Sequence, residues 1–100
     1  MTEDGGFLRN VVFIGTKPFM NYVTSIAMAF TAHNAPEVIV KARGKFISKG
    51  VDVAEVAAKR FMDNKIEVKD IKINSEEFTN ENGKLIRVSS IEIFLGIKEI

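Results

Sequence analysis

Val38–Val51, VIVKARGKFISKGV, passes from strand to helix within a few residues. Its opening Val-Ile-Val is β-branched and suits a buried strand. Further on, Val51, Ala54, Ala58 and Phe61 recur at helical spacing, with Val53, Val56 and Ala57 beside them. A helix is therefore expected over Phe46–Met62, with Ser48 as a candidate cap. Its apolar arc is broad for a helix covering one sheet face, which leaves part of it for another subunit. The stretch holds Lys41, Arg43, Lys45 and Lys49 and no acid, where the strand ends and the helix begins. A small residue at their centre, Gly44, lets the backbone approach a phosphate closely.

The same grammar occurs upstream. Asn10–Ile14, NVVFI, reads as a short buried strand ended by Gly15. Pro18 fits the first turn of a helix, with Thr16 the better cap candidate beside Lys17. Met20, Val23, Ala27 and Phe30 then follow helical spacing, widened by Tyr22 and Ile26. This helix should stop near His33–Asn34, before Pro36. Strand, helix and strand form a β-α-β unit, so the strands at Asn10–Ile14 and Val38–Val40 are expected to be parallel.

Downstream the period changes to two. Lys65–Asn74 alternates as a strand, and its apolar phase slips at Lys69–Asp70, which predicts a bulge or bend. Ile86–Ile97 alternates with a slip at Ser89–Ser90. Asn82–Gly83 between them signals a type I′ hairpin turn. The middle of this hairpin, Asn74 to Arg87, is polar and gains little from packing on the body. It reads as an arm extending ~20–30 Å at about 3.4 Å per residue. The fold class is α+β, a single β-α-β-α-β-β two-layer sandwich with a long C-terminal hairpin arm.

One hundred residues, 46% of them hydrophobic, suit one domain with a real core. Residues 1–9 read as a flexible lead-in and residues 10–100 as the folded domain. Without cysteine, disulfides and thiolate metal sites are excluded. No apolar run approaches the roughly 18–20 residues of a bilayer span, and an intracellular setting is the default. The net charge is only +1, but residues 1–62 carry eight Lys/Arg against five Asp/Glu and residues 63–100 carry six against eight. The basic excess lies in the first part.

Convergent catalytic groups are lacking. His33 is the single histidine, at a helix end, and Asp52 and Glu55 form a pairing common on solvated helices. Walker and GxGxxG loops are absent, as is metal-ligand spacing, so no catalytic residue, cofactor or metal is expected. The basic residues read differently. Lys17 precedes the first helix, and Arg43 and Lys45 precede the second. Both loops follow parallel strands, so both fall at the strands' C-terminal edge beside helix N-termini, an anion-binding edge. The bland alternative is a set of solubilising charges. In the arm, Glu76, Glu77 and Glu81 lie among Lys84 and Arg87, a mixture as suited to protein as to nucleic acid. Tyr22 suits stacking, hydrogen bonding or half-buried packing.

Four strings carry a resemblance. GTKPFMNYV at Gly15–Val23, VKARGKFISKGVD at Val40–Asp52, RFMDNKIEVKDIKI at Arg60–Ile73 and VSSIEI at Val88–Ile93 resemble the Alba family of archaeal chromatin proteins, over residues 10 to about 98. The resemblance implies a fold similar to the C-terminal domain of translation initiation factor 3. It implies a homodimer that binds double-stranded DNA without sequence preference, compacts the chromosome and also binds RNA. The alternative is an RNA-binding module acting in RNA metabolism. By position, Lys17, Arg43 and Lys45 become the body contacts, joined by Asn21, Tyr22 and Lys49, with Lys84 and Arg87 in the arm. Phe61 matches a position of dimer–dimer contact along DNA. Further implied partners are a paralogue in a heterodimer and a deacetylase, with no membrane, in a cytoplasmic, chromosome-associated setting. Many members carry two basic residues before the proline. The acetylated lysine of that pair aligns with Thr16, which leaves Lys17 as the candidate acetylation site. Gly50 stands where the family has a better helix former, at a cost of about 1 kcal/mol against Ala if solvent-exposed.

Overall fold

The computed structural model describes residues 10–61 and 63–99, with the backbone alone at Phe61. The expected lead-in at residues 1–9 lies outside them. In chain order the elements are β1 (Val11–Phe13), α1 (Phe19–Thr31), β2 (Glu37–Arg43), α2 (Ile47–Val56), β3 (Ile66–Thr79) and β4 (Leu85–Ile97). A short 3-10 turn, Gly44–Phe46, leads into α2, and a wider π turn, Ala57–Phe61, continues from it. The strands form one sheet in the order β1-β2-β4-β3. β1 and β2 are parallel, and the other pairs are antiparallel.

Alternation decides which face is covered. Val38, Val40 and Ala42 of β2 lie opposite Leu95, Ile93 and Ile91 of β4. These residues meet Val23, Ile26 and Phe30 of α1 and Val53 and Ala54 of α2 in one core. Ile26, Leu95, Val23, Val38, Val40 and Val53 are fully buried. Each such aliphatic contributes roughly 1.5–3 kcal/mol by leaving water. Both helices thus cover one sheet face, and the opposite face, with Phe13, Ile39, Lys41 and Phe94, stays open.

The expected slip in β3 is a bulge. Val68 pairs with Leu95 and Asp70 with Phe94, leaving Lys69 as the extra residue. One inserted residue restores Ile71 and Ile73 to the helix side, opposite Ile93 and Ile91. At Ser89–Ser90, by contrast, the ladder is continuous. The apolar phase changes there because helix cover ends, and the outboard Ile86 and Val88 belong to the open face.

β2 pairs with β4 only from Ser90 to Gly96. Outboard of that, β3 and β4 have only each other, which makes the arm. Strand pairing continues past Asn74 to Thr79 opposite Leu85. The molecule accordingly measures 51 Å in one direction against 28 and 23 Å in the others.

Several local expectations are corrected. The hairpin does not turn in a type I′ pair. Gly83 N–H donates to Asn80 O at 2.9 Å across Glu81 and Asn82, and of the Asn82–Gly83 pair only Gly83 is left-handed, at φ +76°. This is a type I turn followed by a left-handed glycine, closed by Asn80 N–H to Lys84 O and by the Asn80 side chain accepting from Asn82 and Lys84. At α1, Pro18 rather than Thr16 is the cap residue, and no side chain caps the helix. At α2, Phe46 rather than Ser48 holds that position, because the 3-10 turn starts the coil early. β2 is also longer than Val38–Val40, since its outer residues pair with β4.

Gly50 is not solvent-exposed. It is buried, and a Cβ there would lie 2.9 Å from Ala42 Cβ. The glycine lets α2 lie directly on β2, so the expected gain from a better helix former does not apply.

Candidate nucleic-acid interface

Because β1 and β2 are parallel, the turns that follow them emerge at one sheet edge. The first, Gly15–Pro18, presents Lys17; the second, at the end of β2, presents Arg43 and Lys45. All three side chains are exposed. Gly44 sits between the latter two at φ +58°, a left-handed conformation that suits glycine. Both helices begin at this edge without side-chain caps; Asn21 N–H of α1 is taken by Pro18 O and Ile47 N–H of α2 by Gly44 O, and the positive ends of the two helix dipoles face the edge beside the cations.

Two side chains hold the first turn. Tyr22 is 7% exposed, and its hydroxyl accepts hydrogen bonds from the backbone N–H of Gly15 at 2.9 Å and of Lys17 at 3.0 Å. Lys49, half-buried in the first turn of α2, donates from Nζ to the carbonyls of Gly15 and Lys17, both at 2.7 Å. Its ammonium also lies 5.1 Å from the centroid of the Tyr22 ring. Asn21 is exposed on α1, and its carbonyl accepts from Ser25 Oγ at 2.9 Å. Lys17, Asn21, Tyr22 and Ser25 line one side of a shallow groove.

The second turn is tied to the arm. Arg43 donates to Glu76 Oε1 at 3.2 Å. Lys45 Nζ lies 5.4 Å from the Phe46 ring centroid. Farther out, Arg87 is held by Glu77 through two bonds of 2.7 and 3.1 Å, and Lys84 is exposed beside the hairpin turn. The structure thus gathers Lys17, Arg43, Lys45, Asn21, Tyr22 and Lys49 at one edge, and it sets Lys84 and Arg87 apart on the arm. Phe61 lies in the π turn after α2, and its side chain falls outside the described residues.

The pairing of Arg43 with Glu76 was not visible in the sequence. Its signal was the strand register, since Arg43, Ser90 and Asn74 share a row of the open face and Glu76 follows two residues on. Lys41 sits on the same face, 3.2 Å from Glu92 and 5.7 Å from the Phe13 ring centroid. No cluster of metal-ligating side chains occurs among the described residues. Nor is any helix among them long and apolar enough to cross a membrane.

This topology finds its counterpart in known proteins. A family model described as Alba matches residues 10–75. The chain belongs to the Alba family. That membership makes it a non-enzymatic protein. It is 49% identical over 88 residues to the DNA/RNA-binding protein Alba of Methanococcus maripaludis, an alignment covering 88% of this chain and 98% of that protein. It is also 49% identical over 90 residues to the DNA/RNA-binding protein Alba 1 of Archaeoglobus fulgidus, covering 90% and 98%. Among solved structures, Alba from Thermoplasma volcanium superposes with a TM-score of 0.76 at 43% identity, covering 86% of this chain and 98% of that one. ALBA1 from Trypanosoma brucei shares the fold, with a TM-score of 0.65 at 24% identity, covering 91% and 72%.

Proposed function

We propose that this Alba-family chain binds double-stranded DNA, and RNA, without sequence preference, and compacts the chromosome in a cytoplasmic, chromosome-associated setting. The observation that carries the reading is the convergence of Lys17, Arg43 and Lys45 on one edge beside two uncapped helix starts. Exposed cations there neutralise phosphates and release condensed counterions. Lysine and arginine contacts to phosphate position the duplex but read no bases. The DNA/RNA-binding names of the two relatives above support the same reading.

The functional unit is a homodimer. Ile73 is 79% exposed and Ile71 53% exposed on the helix side of β3, where the helices no longer cover the sheet. Ile47 of α2 lines a shallow groove together with Ile73 and Ile91, so the patch spans both layers. Aliphatics grouped in this way on one face suit a second copy better than water. Two copies double the phosphate edge and raise avidity. On long duplexes, neighbouring dimers meet through Phe61. A paralogue sharing the patch can replace one subunit, and acetylation of the exposed Lys17 by a cognate enzyme, reversed by a deacetylase, would remove one phosphate contact per subunit.

Binding of a labelled duplex and a structured RNA of equal length, measured in competition at matched salt, tests the reading. Comparable affinity for unrelated duplexes with a steep salt dependence is expected. Strong preference for the RNA would favour a role in RNA metabolism, and a flat salt response would remove the phosphate edge.

A further inference from the structure

We propose that Lys49 and Tyr22 do not contact the nucleic acid but form a clamp that positions the Lys17 turn, a proposal that rests on reading this edge as phosphate-binding. Two side chains engage all four backbone polar groups of Gly15 and Lys17. Tyr22 accepts from both N–H groups and Lys49 donates to both carbonyls. Among the described residues, the turn Gly15–Lys17 has no backbone–backbone hydrogen bond of its own. Its shape is therefore imposed from outside, by a ring on α1 and an ammonium on α2.

The chemistry of the two side chains matches that task. An ammonium has three N–H donors, and two of those on Lys49 already point at carbonyls 2.7 Å away. Its charge is further satisfied by the Tyr22 ring face at 5.1 Å. A phosphate oxygen would have to compete with two short charge-assisted bonds for this group. Lys49 also masks two carbonyl dipoles that would otherwise present negative charge where a phosphate approaches. Close packing supports the reach of Lys49, since Gly50 brings the start of α2 against Ala42 of β2 with no room for a Cβ. The clamp therefore links the two basic turns, so that Lys17 stands at a fixed separation from Arg43 and Lys45. Rigid spacing matters because the duplex offers phosphates at fixed intervals.

The experiment is a double-mutant cycle on the full chain, read by duplex affinity across a salt series. Lys49→Met keeps the aliphatic stem and removes the ammonium, and Tyr22→Phe keeps the ring and removes the hydroxyl. Each alone should weaken binding several-fold. Combined with Lys17→Gln, either should add little, and the salt slope should equal that of Lys17→Gln alone. A direct phosphate ligand would behave otherwise: its loss would add to that of Lys17 and lower the slope by about one further contact per subunit. That outcome, or undiminished binding by both clamp variants, overturns the proposal. Amide NMR separates a clamp from a general loss of fold. Gly15 and Lys17 resonances should shift in Tyr22→Phe while core resonances stay in place; unshifted Gly15 and Lys17 amides also overturn it. If Lys17→Gln itself binds like the unaltered chain, the phosphate edge fails, while those amide shifts still report whether the clamp exists.

Discussion

The guanidinium of Arg43 lies 3.2 Å from the carboxylate of Glu76, joining the basic turn after β2 to the hairpin arm. Both side chains are more than half exposed, at 56% and 57%, so the pair itself stabilises the fold by no more than about 1 kcal/mol. Its larger consequence concerns binding, because Glu76 holds the guanidinium in the way a phosphate would.

Glu76→Gln should therefore tighten duplex binding by up to about five-fold, the equivalent of the roughly 1 kcal/mol needed to separate an exposed pair. Fluorescence anisotropy with a short duplex measures this. Removing any acid near DNA helps binding somewhat, so the informative comparison is made in an Arg43→Gln background. There the gain should shrink markedly. An equal gain in both backgrounds would reduce Glu76 to a diffuse repulsive charge. Thermal stability should change little, since the site is on the surface.

Lys17→Gln removes one cation from the edge of each subunit. Affinity should fall to a similar extent on unrelated duplex sequences, and the log–log salt slope should fall in magnitude by up to ~2 for a dimer, at about 0.9 per phosphate contact. An unaltered slope takes Lys17 out of the interface. A loss confined to particular sequences would point to base readout instead.

Ile73→Glu tests the dimer. The residue is 79% exposed within the subunit, so the change should alter subunit stability by less than about 0.5 kcal/mol. A charge buried without a partner at a subunit interface is far more costly. Light scattering after gel filtration should show a monomer, with weaker duplex binding through lost avidity. A dimer of unaltered stability would move the interface away from β3.

Much of this architecture is legible from side-chain periodicity. The bulge at Lys69 could be read because one inserted residue moves every following side chain to the other face, and the apolar phase records the slip. The two basic turns could be placed together because parallel strands deliver their C-terminal ends to one edge. What stayed hidden depends on contacts distant in sequence. Lys49 reaches Gly15 across 34 residues, and Arg43 meets Glu76 across 33. Neither side chain carries a local mark of its partner. The hairpin turn was misread for a local reason, since Asn-Gly fits a type I′ pair and equally the end of a type I turn before a left-handed glycine.

Gly50 shows most clearly how packing overrides propensity. Read as an exposed helix position, it should gain about 1 kcal/mol on replacement by alanine. In the structure the added methyl carbon would stand 2.9 Å from Ala42 Cβ and 3.6 Å from Ile14 Cγ1. The Ile14 distance is an ordinary contact, but Ala42 does not yield easily, because it has no rotamer to change and belongs to a central strand paired on both sides. Overpacking of this kind costs typically about 1–3 kcal/mol, which offsets or exceeds the propensity gain. Gly50→Ala should therefore destabilise the chain by up to about 2 kcal/mol net. Urea unfolding measures it as a lower midpoint with an unchanged slope. DNA affinity should fall as well, because α2 must move off β2 and carry Lys49 away from the Gly15 and Lys17 carbonyls. A variant more stable than the parent would mean that α2 can shift at no cost and that its close approach to β2 does not position the edge.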